Sequence, residues 1–186
     1  MTTSPLVRTG ALAAPVLLFA YGALRLIDGL DGRHDKGALL WNAGHVLFFA
    51  AMALLGALAV AVRRTLRYPD FANRLVANLA TIFALAGTAA FPWVIIGDLS
   101  PSFADAAPLP DALQTVGPAM FQIGLLTLLV QLVRARRLPA WSPVAVLFGF
   151  LLIAVNLDLI PVAAAVLSAG LLPLAGLRPP ARRAVS

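Results

Sequence analysis

The sequence predicts an all-α integral membrane protein: one domain, residues 1–186, folded as a bundle of six transmembrane helices with both termini cytoplasmic. Three observations carry this reading. Hydrophobic residues make up 61% of the chain and charged residues only 12%, with a mean hydropathy of +0.91, far from the usage of a water-soluble domain. The apolar residues gather into stretches close to the length of about 20 residues that a bilayer crossing needs. Short breaks rich in Asp, Gly, Pro and Arg separate the stretches, as expected where helices end and chains turn. Finally, basic and acidic residues fall on alternate connections.

The first stretch, residues 11–27, follows Arg8. It is read as a retained span rather than a cleaved leader, because it runs on without a small-x-small cleavage pattern. The next three cover residues 38–62, 75–97 and 116–133. Residues 143–177 then form one nearly continuous apolar run. As a single helix it would be about 50 Å long, well beyond a hydrocarbon core of about 30 Å. It must fold back, and the turn is placed at Asn156–Pro161, where proline cannot continue the hydrogen-bond ladder and disfavours helix in the residue before it. This divides the run into spans 143–160 and 162–177, the alternative being a re-entrant final segment.

Orientation follows from the connections. Arg8, Arg63, Arg64, Arg67, Arg74, Arg134, Arg136, Arg137, Arg178, Arg182 and Arg183 all fall on one side, eleven of fourteen basic residues. Asp28, Asp31, Asp35, Asp98, Asp105, Asp111 and Asp158 fall on the other, seven of eight acids. The positive side is expected in the cytoplasm, and a five-span chain would throw the basic tail outside. Arginine over lysine and aspartate without any glutamate suit a GC-rich bacterial genome, so the expected location is a bacterial inner membrane. Trp41 and Trp93 near the outer ends, and Tyr68 and Trp141 near the inner boundary, read as an interfacial belt. Small residues recur at Ala50, Ala53, Ala57 and Ala61 on the second span and at Ala77, Ala80, Ala84 and Gly87 on the third. Such faces let membrane helices approach closely.

Several chemistries are excluded. With no cysteine there is no thiolate catalysis, disulfide exchange or Cys-ligated metal. A retinal Schiff base needs an intramembrane lysine, and the single Lys36 sits in an outer loop. No phosphate-binding G-x-x-x-x-G-K-[ST] loop, G-x-S-x-G elbow or H-E-x-x-H pair is present. The net charge of +6 is accounted for by the orientation clusters, so no nucleic-acid partner is expected. The run Asp28-Gly29-Leu30-Asp31-Gly32-Arg33 resembles the opening of the CDP-alcohol phosphotransferase signature. Gly32 stands where that signature has alanine and the later paired aspartates are missing, so two Asp-Gly turn steps account for it. Asp31, His34 and Asp35 have the chemistry of metal ligands, but Arg33 and Lys36 among them favour a solvated loop, and no metal is expected.

Polar groups within spans are costly and face the bundle interior or a wet cavity. Here they collect toward the outer half: Arg25 and Asp28 on the first span, Asn42 and His45 on the second, Gln122 on the fourth, and Asn156 with Asp158 closing the fifth. Spacings of three place the first two pairs each on one helix face. Their convergence would form an outward-facing polar pocket, walled in part by Thr88, Phe91, Pro92 and Trp93. Within it Arg25 would pair with Asp158 or Asp28, and His45 would bind a proton, an anionic head group or a metal. The competing reading is interhelical hydrogen bonding, worth about 0.6 kcal/mol per contact. One in-span histidine cannot supply both axial ligands of a bis-histidine haem, and the sequence assigns no cofactor. The expected partners are the bilayer and either a lipid-like small amphiphile or a membrane partner subunit. The alternatives are a small proton-coupled transporter or channel subunit, and an enzyme acting on an isoprenoid or lipid through His45 with Asp158 or Asp28.

Overall fold

The computed structural model describes residues 5–30, 32–33, 36–68 and 70–177. Asp31, His34 and Asp35 of the loop reading and Arg178, Arg182 and Arg183 of the tail lie outside the described residues. Every regular element among the described residues is helical: α1 (Pro5–Asp28), α2 (Leu39–Thr65), α3 (Phe71–Leu99), the short α4 (Pro101–Ala106), α5 (Asp111–Arg134), α6 (Trp141–Val155) and α7 (Ile160–Leu171). Single 3₁₀ segments, Leu157–Leu159 and Leu172–Gly176, flank α7 and extend it into one 20-residue apolar rod.

Five helices are thus long and apolar enough to cross a bilayer: α1, α2, α3, α5 and the rod built on α7. The stretch expected as a fifth span, residues 143–160, is instead the 15-residue α6, about 22 Å long at 1.5 Å per residue. It stops at Val155 because Asn156 turns away in an extended conformation and its side chain accepts from the Asp158 N–H at 2.8 Å. Pro161 then stands in the first turn of α7, where its missing N–H costs no helical bond.

Local chemistry sets the other boundaries. Asp70 caps α3, accepting from the Asn73 N–H at 2.8 Å, which starts the helix before the apolar stretch itself. Ser100 ends α3 and caps α4, with Pro101 in the first turn. The C-terminus of α5 closes with Arg136 in the left-handed region (φ 54°). There the N–H groups of Arg136 and Arg137 bond the carbonyls of Val133 and Leu132 at 2.8 and 2.9 Å, satisfying acceptors the helix leaves open. Pro15, Pro92 and Pro118 lie inside α1, α3 and α5.

The six longer helices close a ring in the order α1, α2, α3, α5, α6, α7, with α7 returning to α1. The contact faces follow helical spacing. On α1 they are Val7, Ala11, Ala14, Leu18 and Tyr21; on α3 they are Ala77, Ala80, Ala84 and Gly87, the small stripe singled out above. That stripe seats α5 so closely that a Cβ on Gly124 would lie 2.4 Å from the Ala80 carbonyl oxygen and the Ala84 nitrogen. The stripe expected on α2 lies only partly in the contact face: Ala61 is buried, Ala50 and Ala57 are partly buried and Ala53 is exposed, whereas Ala51, Met52, Leu55, Leu58 and Ala59 are buried. Lipid is as apolar as leucine, so apolar periodicity does not mark which face meets protein.

Large apolar side chains such as Val16, Phe49, Ile82, Phe148, Leu151 and Val162 remain exposed around the ring. A water-soluble monomer does not carry a belt of this extent. The two ends differ in charge. At one, Arg63 Nε donates to Asn78 Oδ1 at 2.8 Å, Arg137 Nη1 donates to the Thr65 carbonyl at 2.7 Å, and the Tyr68 hydroxyl donates to Gln131. At the other lie Arg25, Lys36, Asp98 and Asp158, joined in ion pairs.

Candidate functional site

Two spaces lie at the acidic end. The first is a cavity of about 360 Å³ inside the ring. All six longer helices line it: Leu18 from α1, Phe48 and Met52 from α2, Phe91 from α3, Phe121 and Gln122 from α5, Phe150 and Ile153 from α6, and Ile160 from α7. The four phenylalanines form a chain of edge-to-face contacts, Phe48 to Phe91 at 5.8 Å, Phe91 to Phe121 at 6.0 Å and Phe121 to Phe150 at 5.4 Å between centroids, a preferred geometry for aromatic rings. The wall residues open to the surroundings, Gln114, Thr115 and Ala154, stand on α5 and α6. The cavity therefore opens between those two helices, which pack only lightly on each other.

The second space is a cleft of about 350 Å³ on the outside of the acidic end, bounded by Lys36, Trp93, Asp98, Phe103, Asp111 and Gln114 among others. Gln114 borders both spaces. The wall of this cleft is held by α4, since Trp93 Nε1 donates to the Ala107 carbonyl at 2.9 Å and its ring meets Phe103 at 5.5 Å.

Bordering the cleft through Lys36 and Asp98 stands a polar cluster that joins α1, α2 and α3. His45 is 3% exposed. Its Nδ1 lies 2.8 Å from the Trp41 carbonyl oxygen and its Nε2 lies 3.5 Å from Asp98 Oδ2. Trp41 Nε1 donates to the Asp98 backbone carbonyl at 3.1 Å, and Lys36 Nζ reaches the second carboxylate oxygen at 3.5 Å. Tyr21 presents its ring to His45 at 5.6 Å and stacks on Phe48 at 4.7 Å. Tyr21, Arg25, Asp28, Trp41 and His45 enclose a void of about 10 Å³, the size of one water molecule.

The residues expected to converge are placed as follows. Arg25 pairs with Asp158 at 3.6 Å and shares the small void with Asp28 and His45. Asn42 Nδ2 donates to the Gly37 carbonyl at 3.0 Å, bracing the loop, while its Oδ1 is buried without a hydrogen-bond partner. Asn156 caps the turn before α7. Gln122 is separate from the charged cluster and lies in the aromatic cavity wall. Of the wall expected on α3, only Phe91 lines that cavity, while Thr88 packs against Gly56 and Trp93 faces the outer cleft. Trp41 is 8% exposed, so it is an interior donor and not a belt residue. Asp98, Tyr21 and Lys36 complete the cluster although sequence reasoning had not assigned them to it. The sequence signal was the one acid ending the third span, at the same depth as His45.

The fold and this site define a multi-pass helical membrane protein with an internal aromatic cavity. Comparison with protein-family models, curated proteins and solved structures returns no match.

Proposed function

We propose that this protein is a non-enzymatic binder of a lipid-like amphiphile, held with its apolar part in the aromatic cavity and its polar head at Gln114, Thr115 and Gln122. The observation that carries the reading is the cavity itself. Its volume of about 360 Å³ falls within the range of small-molecule sites. Its wall is almost wholly apolar apart from hydrogen-bonding side chains on α5. The opening between α5 and α6 lies at the acidic end of both helices, one turn from exposed Leu151 of α6, so an acyl or prenyl chain can enter sideways from the bilayer.

The acid-base pairing of an enzyme gains no support, since neither His45 nor Asp28 nor Asp158 lines the aromatic cavity. We further propose six crossings in a bacterial inner membrane, with the basic end and both termini cytoplasmic. In this arrangement α6 crosses as a short helix antiparallel to α7. The register supports it: Ser142 Oγ donates to the Gly170 carbonyl at one end of the pair, and Gly149 meets Leu167 and the Ala163 carbonyl further along. The deficit in length is met by local bilayer thinning at a fraction of a kcal/mol per Å.

The test is native mass spectrometry of protein released from nanodiscs, comparing wild type with Ala154→Trp, which fills the mouth from an exposed position of α6. One amphiphile bound per chain in wild type and lost in the variant is expected. Equal occupancy in both, or no fixed stoichiometry in wild type, overturns the reading and turns attention to a partner subunit at the same mouth. Because the chain contains no cysteine, single replacements of Arg67 and Asp105 report topology directly. An impermeant thiol reagent added outside intact cells is expected to label the second and spare the first.

A further inference from the structure

The hydrogen-bonding partners of His45 constrain where its protons reside. Nδ1 faces the Trp41 carbonyl oxygen at 2.8 Å, and a carbonyl only accepts, so Nδ1 carries hydrogen. Nε2 faces Asp98 Oδ2 at 3.5 Å. With a neutral ring and an ionised carboxylate, two lone pairs would confront each other in a site where the ring is 3% exposed. Placing one proton between them removes the conflict, either as imidazolium with carboxylate or as imidazole with carboxylic acid.

Four charged groups, Arg25, Asp28, Lys36 and Asp158, surround the pair. On α1, Arg25 and Asp28 share the small void with His45 and Tyr21. From the loop, Lys36 reaches Asp98 Oδ1 at 3.5 Å. Beyond Arg25, Asp158 at the start of the α7 rod is its partner at 3.6 Å. Lys36 and Asp158 are themselves open to solvent, 67% and 54% exposed in their side chains, whereas the ring of His45 is not. Uncompensated charge is expensive in a poorly solvated site.

We propose that His45 and Asp98 form a proton-binding site, holding one exchangeable proton between the ring and the carboxylate at neutral pH. The site has a route to the outside. Asp98 is 31% exposed in its side chain and borders the outer cleft together with Lys36 and Asp111, whereas His45 is shut off behind it. The proton is assigned to the site and not to one member. It ties the outer end of α2 to that of α3, alongside the Trp41 bond to the Asp98 backbone. It uses none of the residues on which the amphiphile reading depends.

The measurement is nitrogen-15 NMR of the histidine rings in nanodiscs at pH 7. The second histidine, His34, is removed by His34→Gln for assignment, and infrared spectra of the carboxyl region are recorded in parallel. Two protonated ring nitrogens on His45, or one protonated nitrogen with a protonated carboxyl band that Asp98→Asn abolishes, is the expected result. A ring protonated on Nδ1 alone, with no protonated carboxyl band, overturns the proposal. If Asp98→Asn fails to fold, Asp98→Glu, which keeps the carboxyl, assigns the band by its shift in frequency.

Discussion

Replacing Gly87 with alanine drives a methyl group into the backbone of the helix opposite. A Cβ at this position would stand 2.3 Å from the Phe121 nitrogen, 2.4 Å from the Gly117 carbonyl oxygen and 2.8 Å from the Phe121 Cα. Ordinary contact for such atoms begins near 3.4 Å, so α3 and α5 must part by about 1 Å in a closely packed interface. The obstructing atoms are backbone, and no change of rotamer relieves them. Overpacking of this kind costs about 1–3 kcal/mol, and the absence of a flexible neighbour places Gly87→Ala toward the upper part of that range. At about 2.5 kcal/mol, the folding equilibrium falls roughly seventy-fold. The assay is reversible unfolding in mixed micelles followed by circular dichroism. Gly176→Ala serves as the control, since a Cβ there meets nothing within 4 Å. Stability of Gly87→Ala within about 0.5 kcal/mol of wild type, the scatter of an ordinary surface substitution, would refute the close approach of α3 and α5.

Asp158→Asn is expected to lower stability by less than about 1 kcal/mol, because its partner Arg25 meets an exposed carboxylate at 3.6 Å and such pairs contribute little; a larger loss in the same unfolding assay would show that the pair is shielded from solvent. At the basic end, hydrogen bonds from Asn73 hold the Asp70 carboxyl below the ordinary carboxylate range. A carboxyl depressed by folding stabilises at pH above its unfolded value and loses that contribution as pH falls through its folded value. Amide exchange in the first turn of α3, corrected for its intrinsic pH dependence, should therefore quicken below about pH 4. Asp70→Asn, which caps without titrating, should remove this dependence; an unchanged profile in the variant would contradict the capping role.

The helices were legible because their signal is local. Apolar length, the Asn156–Pro161 break and the charge of the connections reside in neighbouring residues, and each corresponds to a feature of the fold. The short α6 was not legible, since Leu157, Leu159 and Ile160 are apolar enough to be counted with it although the backbone has already turned. α4 was passed over because six residues carry too little periodicity, yet Ser100 followed by Pro101 is a helix-start signal in plain view. The small stripe on α3 marked a real interface, while the similar one on α2 coincides with the buried face only at Ala61 and leaves Ala53 exposed, because both faces of α2 meet apolar surroundings. Arg25, Asp28 and His45 were found through the cost of burying polar groups. Asp98 was missed because its partner lies on another helix, and position along the sequence does not encode which side chains share a depth and a facing direction. Gln122 was grouped with the charged cluster on depth alone, whereas the rotation of α5 turns it into the aromatic cavity.

The central claim is that the cavity holds the apolar part of a bilayer-derived amphiphile. Photocrosslinking in nanodiscs doped with a lipid carrying a diazirine on its acyl chain tests it most directly, with the labelled residues mapped by peptide sequencing. Adducts concentrated on Phe121, Gln122, Phe150 and Ile153, and suppressed in Ala154→Trp, are the predicted result. Adducts confined to the outward side chains Val144, Phe148 and Leu151, with none on the cavity wall, would contradict it.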